Sequence, residues 1–356
     1  MVHLDPLTQQ IILNFAIGLI ITISLNIEVG FLRLPQFGRL LAVIIGAIVA
    51  AALPGRILAL ILGLPAGAEY AESMLNPYIV TAINTWLAQN PHVSLAILIF
   101  TIAMAALLGG LVGYLCAYPA LRLKGPFLGI TLLAFGDIMV HVSWNYPYLV
   151  GGTIGVWVID PLRFLGPARS SAMVLTILAI AVLVYVYAEF LARSPYGRML
   201  KAIRDSELAA KVYGKDVIKA RSQVLIIGGA MAGVGGALWA LYTGSMKAVT
   251  YTRLMWTFWP WAFLMLGGVG NNLGVLVGVL IYTVVRTLII LYKGALAVVI
   301  PMSPEWLEYI LIGMALILIM LFRPQGLIPE KPTPALPRSK LEEIRRRVIQ
   351  ESSSSS

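Results

Sequence analysis

Charged side chains are scarce in this sequence. Asp, Glu, Lys and Arg make up 12% of the chain and apolar types 59%, whereas a soluble domain has about 25% and 45–50%. The mean hydropathy of the whole chain is +0.88, and one ~20-residue membrane anchor does not raise the average of 356 residues so far. The apolar excess is spread over many segments, which excludes a soluble enzyme with a single anchor and a disordered chain.

Cysteine, histidine and nucleotide-binding signatures are also sparse. The single cysteine, Cys116, lies in an apolar run and excludes a disulfide scaffold. His3, His92 and His141 lack the spacing of a metal site, and no G-x-x-x-x-G-K-[ST] motif is present. We therefore predict no catalytic residue, no metal and no bound cofactor or ATP. The absence of a convergent acid, base or metal set also disfavours an integral membrane enzyme.

Long charge-free runs are the main feature of the chain. Since they are continuous and do not alternate, they predict helices rather than barrel strands. The runs are residues 8–29, 40–62, 94–117, 126–148, 171–192, 222–244, 250–268, 272–293 and 307–322. The sequence thus predicts an all-α polytopic integral membrane helix bundle with about nine transmembrane helices (8–10). Residues 254–285 are too long for one span, and GGVGNNLG (267–274) is the expected break.

The positive charge is clustered rather than dispersed. Eight of the 26 Lys and Arg residues fall in 193–222 and seven after 322, as the positive-inside rule predicts for cytoplasmic segments. This clustering favours a multi-pass protein of the cell (cytoplasmic) membrane, in contact with the lipid bilayer, and not a nucleic-acid-binding protein. We predict a transmembrane domain over 1–322 and a partly disordered cytoplasmic tail over 323–356. With nine spans and the basic segments in the cytoplasm, 64–92 and the N-terminus are expected outside.

The basic segment 193–223 is too patterned for a simple turn. Asp205 is a plausible N-cap and Gly214 a plausible end for a short amphipathic helix around 205–214. Ala209 and Ala210 give that helix a small-residue face that a partner can approach closely. The alternative is a basic helix that rests on anionic headgroups.

Several motifs in this order resemble the permeases of branched-chain amino-acid ABC importers of the LivM type. E-L-A-A-x-x-x-G (207–214), preceded by R-x-x-x-A-I-R (198–204), is similar to the motif by which such permeases meet their ATPase subunits. Further segments resemble the family in the same order. They are SLNIEVG (24–30), LRLKGPFLGITLLAFGDI (121–138), LVGGTIGV (149–156), LMLGGVGNNLGVLVG (264–278) and LIGMALILIMLFRPQGLI (311–328).

The resemblance implies a membrane-spanning subunit of an ATP-driven importer. It implies ABC ATPase subunits that hold ATP and Mg, a second permease subunit of the LivH type and an extracytoplasmic solute-binding protein as partners. The implied cargo is a branched-chain or other hydrophobic amino acid, with urea or short-chain amides as alternatives in the same family. The residues implied to contact the ATPase are Arg198, Lys201, Arg204, Glu207, Ala209, Ala210 and Gly214.

Polar residues at membrane depth are costly and therefore candidates for function. The translocation-path candidates are Asn26, Glu28, Thr131, Phe135, Asp137, His141, Gly151, Gly152 and Thr153. Asp137 and His141 lie four residues apart on one helix face. Three interpretations stay open: a structural pairing with each other or with Arg286, a place in the path, or a proton relay. The last would make the chain a proton-coupled secondary transporter that uses Asp137.

The glycines of GGAMAGVGG (228–236) allow two interpretations. Small residues at this spacing let helices pack closely. Alternatively, they break a helix and expose its backbone to a substrate.

Overall fold

The computed structural model describes residues 5–123, 125–292, 306, 309–310, 313–314, 317–318, 321–330 and 342–343. Nearly all of these residues that belong to a regular element are helical, which confirms the predicted all-α membrane bundle. Within this described part of the chain, seven helices are long and apolar enough to cross a membrane. They are α1 (Pro6–Leu32), α2 (Arg39–Ile61), α4 (Pro91–Arg122), α5 (Pro126–Asn145), α7 (Arg169–Arg193), α10 (Val217–Thr243) and α12 (Asn272–Leu291).

Shorter elements connect these spans. They are α3 (Asn76–Gln89), α6 (Pro147–Val150), α8 (Pro195–Asp205), α9 (Glu207–Val212), α11 (Trp259–Gly267) and the paired strands β1 (Val156–Trp157) and β2 (Ser245–Met246). The predicted span at 307–322 lies mostly outside the described residues, as do the five terminal serines.

Three helices form the centre of the bundle. In their most apolar windows, 89% of α1, 78% of α10 and 67% of α2 is buried, against 28% for α4, α5 and α7. The outer helices therefore present broad apolar faces to lipid or to a partner.

Glycines bring α4 and α10 into backbone contact. A Cβ atom on Gly109 would lie 2.5 Å from the carbonyl oxygen of Gly229, and one on Gly229 equally close to that of Gly109. Four residues further along each helix, Gly113 and Gly233 also lie against the backbone of the other helix, with no room for a Cβ. Since α10 is one continuous helix, the close-packing interpretation of 228–236 is confirmed, and the broken-helix interpretation is wrong.

The predicted break in 254–285 is confirmed. α11 ends at Gly267, and Gly268 and Gly270 take positive φ values of 125° and 85° before α12 begins. A π-helical turn, Leu254–Phe258, precedes α11. Pro260 accounts for this turn, because it has no N–H and its ring crowds the preceding helical turn. The helix over 254–267 is only about 21 Å long, short of the ~30 Å hydrocarbon core.

The two ends of the bundle differ. α8 and α9 lie at the end formed by the C-termini of α1 and α7 and the N-termini of α10 and α12, which we call the basic end. α3, α6 and the two strands lie at the opposite, far end. There, Asn76 donates to the carbonyl of Tyr70 (2.8 Å) and accepts from the backbone N–H of Trp157 (2.7 Å), so α3 is attached to the strand.

Candidate functional site

The basic segment forms two short helices, not one. Ser194 caps α8, where its hydroxyl accepts from the N–H of Gly197, and Ser206 caps α9 by accepting from Ala209. The prediction that Asp205 is the N-cap is wrong, because its carboxylate pairs with Arg204 (3.1 Å) and Ser206 takes the cap. Gly214 follows α9 with φ of +71°, as predicted for its end.

The inner face of α8 is attached to the chain itself. Lys201 and Arg204 both pair with Glu330, at 2.8 and 2.6 Å. Arg204 also donates to the carbonyl of Gly30 at the end of α1 (2.7 Å). Two of the predicted ATPase-contact residues therefore hold α8 to α1 and to the segment that follows the last predicted span.

Glu207 performs the same task for α9. Its carboxylate lies 2.8 Å from the Lys211 ammonium and 2.9 Å from the Arg221 guanidinium at the start of α10. The hydrogen bond from Lys211 lowers the pKa of Glu207, although partial burial opposes the shift. The carboxylate thus stays ionised at neutral pH and keeps α9 against α10.

The outer face of α9 is apolar and exposed. Leu208, Val212 and Tyr213 have relative exposures of 76%, 79% and 81%. Leu208 and Val212 are four residues apart and so lie on one helix face. Ala209, Arg198 and Gly214 are exposed as well, whereas Ala210 is buried and unavailable to a partner. The set of ATPase-contact residues predicted from the sequence did not include Leu208, Val212 or Tyr213. The helical spacing of Leu208 and Val212 was the signal that could have added them.

A polar chain of contacts joins the basic end to the helix break. Asn26 accepts from the N–H of Gly270 (2.8 Å) and donates to Asn272 (2.9 Å), which donates to Glu189 on α7 (3.2 Å). Gly30 lacks the Cβ that would collide with the Asn26 side chain and Gly270. Asn26, a predicted path residue, therefore ties α1 to the start of α12.

Residues 323–330 form a strap across the same region. Asn271 donates to the carbonyls of Ile328 (3.3 Å) and Pro329 (3.2 Å), and Ile328 donates to Gly267 (2.9 Å). The strap ends at Glu330, which holds α8. The start of the predicted tail is thus packed onto the bundle.

Glu28 forms a buried ion pair. Its carboxylate lies 2.7 Å from the Arg39 guanidinium, with exposures of 0% and 1%. Arg39 also donates to the carbonyl of Gly228 (2.9 Å), where any Cβ would collide with Glu28. The pair joins α1, α2 and α10.

The path candidates on α5 have a different partner from the predicted one. Asp137 pairs with Arg253 (3.0 Å), which precedes the π-helical turn. His141 is exposed and stacks with Trp144, with ring centroids 6.5 Å apart. The predicted pairing of Asp137 with His141 or Arg286 is replaced by an ion pair with Arg253, because the fold brings that loop to α5.

The remaining candidates lie elsewhere on α5 and beyond it. Thr131 donates to the carbonyl of Phe127 (2.9 Å), and Phe135 is 37% exposed. Gly151 and Gly152 take positive φ values of 70° and 59° in the turn after α6, and Thr153 beside them is exposed. The path candidates therefore form three groups: two buried residues of α1, two pairs on different sides of α5 and a turn at the far end.

No group of three or more His, Cys, Asp or Glu side chains is arranged to hold a metal ion within the described residues.

Comparisons with known proteins agree with these features. The family model described as branched-chain amino acid transport system / permease component matches residues 7–320. A probable branched-chain amino acid transport permease protein LivM of Methanocaldococcus jannaschii is 39% identical over 94% of this chain and 96% of its own.

Two bacterial relatives match over a smaller share. The high-affinity branched-chain amino acid transport system permease proteins LivM of Escherichia coli and Salmonella typhimurium are 28% and 27% identical. In both cases the match covers 64% of this chain and 56% of the relative. No solved structure matches. The chain belongs to the family of permease components of branched-chain amino acid transport systems.

Proposed function

We propose that the chain is a permease subunit of an ATP-driven ABC importer in the cell membrane. Its cargo is a branched-chain or other hydrophobic amino acid, delivered by an extracytoplasmic binding protein. ATP and Mg bind to partner ATPase subunits and not to this chain. The observation that carries the proposal is the exposed apolar face of α9 at the basic end, which is fixed to the spans by ion pairs.

The contacts at the basic end supply a route for coupling. An ATPase that binds Leu208 and Val212 pushes on α9, and Glu207 passes the force to α10 through Arg221. α8 passes it to α1 through the bond from Arg204 to Gly30. Since α1 lies at the centre of the bundle, a shift of these helices moves the spans that surround it. This arrangement is suited to alternating access.

The second permease and the binding protein fit other surfaces. The ion pair of Asp137 and Arg253 is partly exposed on an outer face of α5, with exposures of 25% and 53%. Charges at membrane depth are costly against lipid, so we assign this face to a LivH-type partner and to the path between the two permeases. The segment 64–92, which carries Glu69 and Glu72 at the far end, is the proposed contact of the binding protein.

Urea or short-chain amides stay the alternative cargo within the same family. The hypothesis of a proton-coupled carrier rested on a relay between Asp137 and His141. It is less favoured, because Asp137 is paired with Arg253 and not with His141. A carboxylate held by a guanidinium serves structure more readily than proton transfer.

The test is a pull-down of the tagged chain in mild detergent, with bound ATPase measured by mass spectrometry and ATP hydrolysis. Leu208→Lys is expected to lose the ATPase while the chain still reaches the membrane. Met74→Lys is the matched control, because Met74 is 84% exposed at the far end. Retention of the ATPase by Leu208→Lys, or its equal loss in both variants, would contradict the docking role of α9.

A further inference from the structure

An open cavity of about 360 Å³ lies between the helices near the far end of the bundle. Its walls come from the N-terminal half of α1, the C-terminal parts of α10 and α12, and the π-helical turn with α11. Its volume falls within the roughly 300–1,000 Å³ of small-molecule sites. The lining residues that matter here are Asn14, Trp239, Trp256, Trp259, Tyr282 and Arg286.

Six of the sixteen described residues that line the wall are aromatic, and one is a cation. Trp256 meets Trp239 edge to face, and Trp259 packs on Tyr282, with centroids 5.6 and 5.2 Å apart. Arg286 lies on α12, a membrane-spanning helix, where a charge is costly and marks a functional site by default. The cavity therefore combines apolar surface with a positive charge.

A buried donor in the wall has no acceptor within the described residues. Trp256 is 3% exposed, and its indole N–H makes no hydrogen bond there. Buried indole N–H groups are normally satisfied, as that of Trp261 is by the carbonyl of Gln36 (2.9 Å). Trp256 also lies in the π-helical turn, and such turns are frequent at functional sites.

We propose that this cavity binds the transported amino acid as a zwitterion. The carboxylate accepts from the Trp256 N–H and pairs with Arg286, and the branched side chain packs on the aromatic rings. The ammonium group lies over an aromatic face, an arrangement favoured by cation–π attraction. This inference rests on the proposed function and assigns the chemistry of its substrate site.

The test measures leucine binding to the full chain in lipid nanodiscs, by calorimetry and by the fluorescence of the wall tryptophans. Trp256→Phe keeps the ring and removes the N–H, and we expect leucine affinity to fall about tenfold or more, since hydrogen bonds to charged groups are the strong ones. Trp261→Phe is the matched control, because it removes an indole N–H outside this cavity, and it should leave affinity unchanged.

A second measurement needs no variant. The wild-type chain should bind leucine at least about tenfold more tightly than leucinol, which lacks the carboxylate. Equal affinity for the two ligands, or equal effects of the two tryptophan variants, would overturn the assignment. Normal ATP-driven leucine uptake by Trp256→Phe, with unchanged KM, would reject the site and leave the importer intact. Lack of ATP-driven uptake by the wild-type complex would instead reject the importer itself.

Discussion

The buried pair of Glu28 and Arg39 gives a sharp prediction about the centre of the bundle. Both side chains are almost fully buried and 2.7 Å apart. Glu28→Gln keeps the shape but leaves the Arg39 charge without its counter-charge. Removal of one partner of such a pair costs about 3–5 kcal/mol, so the free energy of unfolding should fall by that amount.

The double variant Glu28→Leu/Arg39→Met separates the charge from the packing. Replacement of a whole buried pair by apolar residues is often close to neutral. This variant also loses the hydrogen bond from Arg39 to the Gly228 carbonyl, worth about 1 kcal/mol. We therefore expect the double variant to be about 1 kcal/mol less stable than wild type and clearly more stable than Glu28→Gln.

The assay is reversible unfolding in mixed micelles, followed by tryptophan fluorescence. Arg193→Gln is the control, because its pair with Glu189 is four residues apart on one helix and Arg193 is 80% exposed. Loss of that pair should cost below about 0.5 kcal/mol. If Glu28→Gln were no more damaging than Arg193→Gln, the structural role of the buried pair would be refuted. A normally stable Glu28→Gln chain without uptake would place Glu28 in the path instead.

Three further changes test the packing and the basic end. Gly109→Val should lower the free energy of unfolding by ~1–3 kcal/mol, because the valine side chain would collide with the Gly229 carbonyl. Gly67→Ala is the control and should have little effect in the same assay, because a Cβ at Gly67 meets open space. Glu330→Gln removes the ion pairs that hold two basic side chains of α8, and their loss should favour local opening by about 1 kcal/mol. Trypsin should then cleave α8 and α9 roughly fivefold faster. An unchanged cleavage rate would contradict the role of the strap in holding α8. Glu207→Lys places a third cation beside two others, so uptake should be lost while membrane expression persists; normal uptake would count against coupling through α9.

The helices followed from the sequence because their signal is local. Runs of ~20 apolar residues have few structural options in a membrane, and the glycines at 267–274 fix the break. The end of α9 at Gly214 was equally readable, because glycine takes the left-handed conformation at low cost. Ser206 and Asp205 are both good capping residues, so which of them caps α9 depended on the pairing of Asp205 with Arg204.

The long-range partners could not be read from the sequence. Arg253 lies 116 positions after Asp137, and Glu330 lies 126 after Arg204. Such pairs depend on how the helices pack, and composition does not determine this. The cavity at the far end was missed for the same reason, because its wall is assembled from separate segments whose tryptophans look like ordinary interface residues.

The most direct test of the central claim is leucine uptake into vesicles that contain the chain with its co-purified partners. Our account predicts uptake that requires ATP hydrolysis, persists when the proton gradient is collapsed and disappears in Leu208→Lys. Uptake by the isolated chain, driven by a proton gradient without an ATPase, would contradict it.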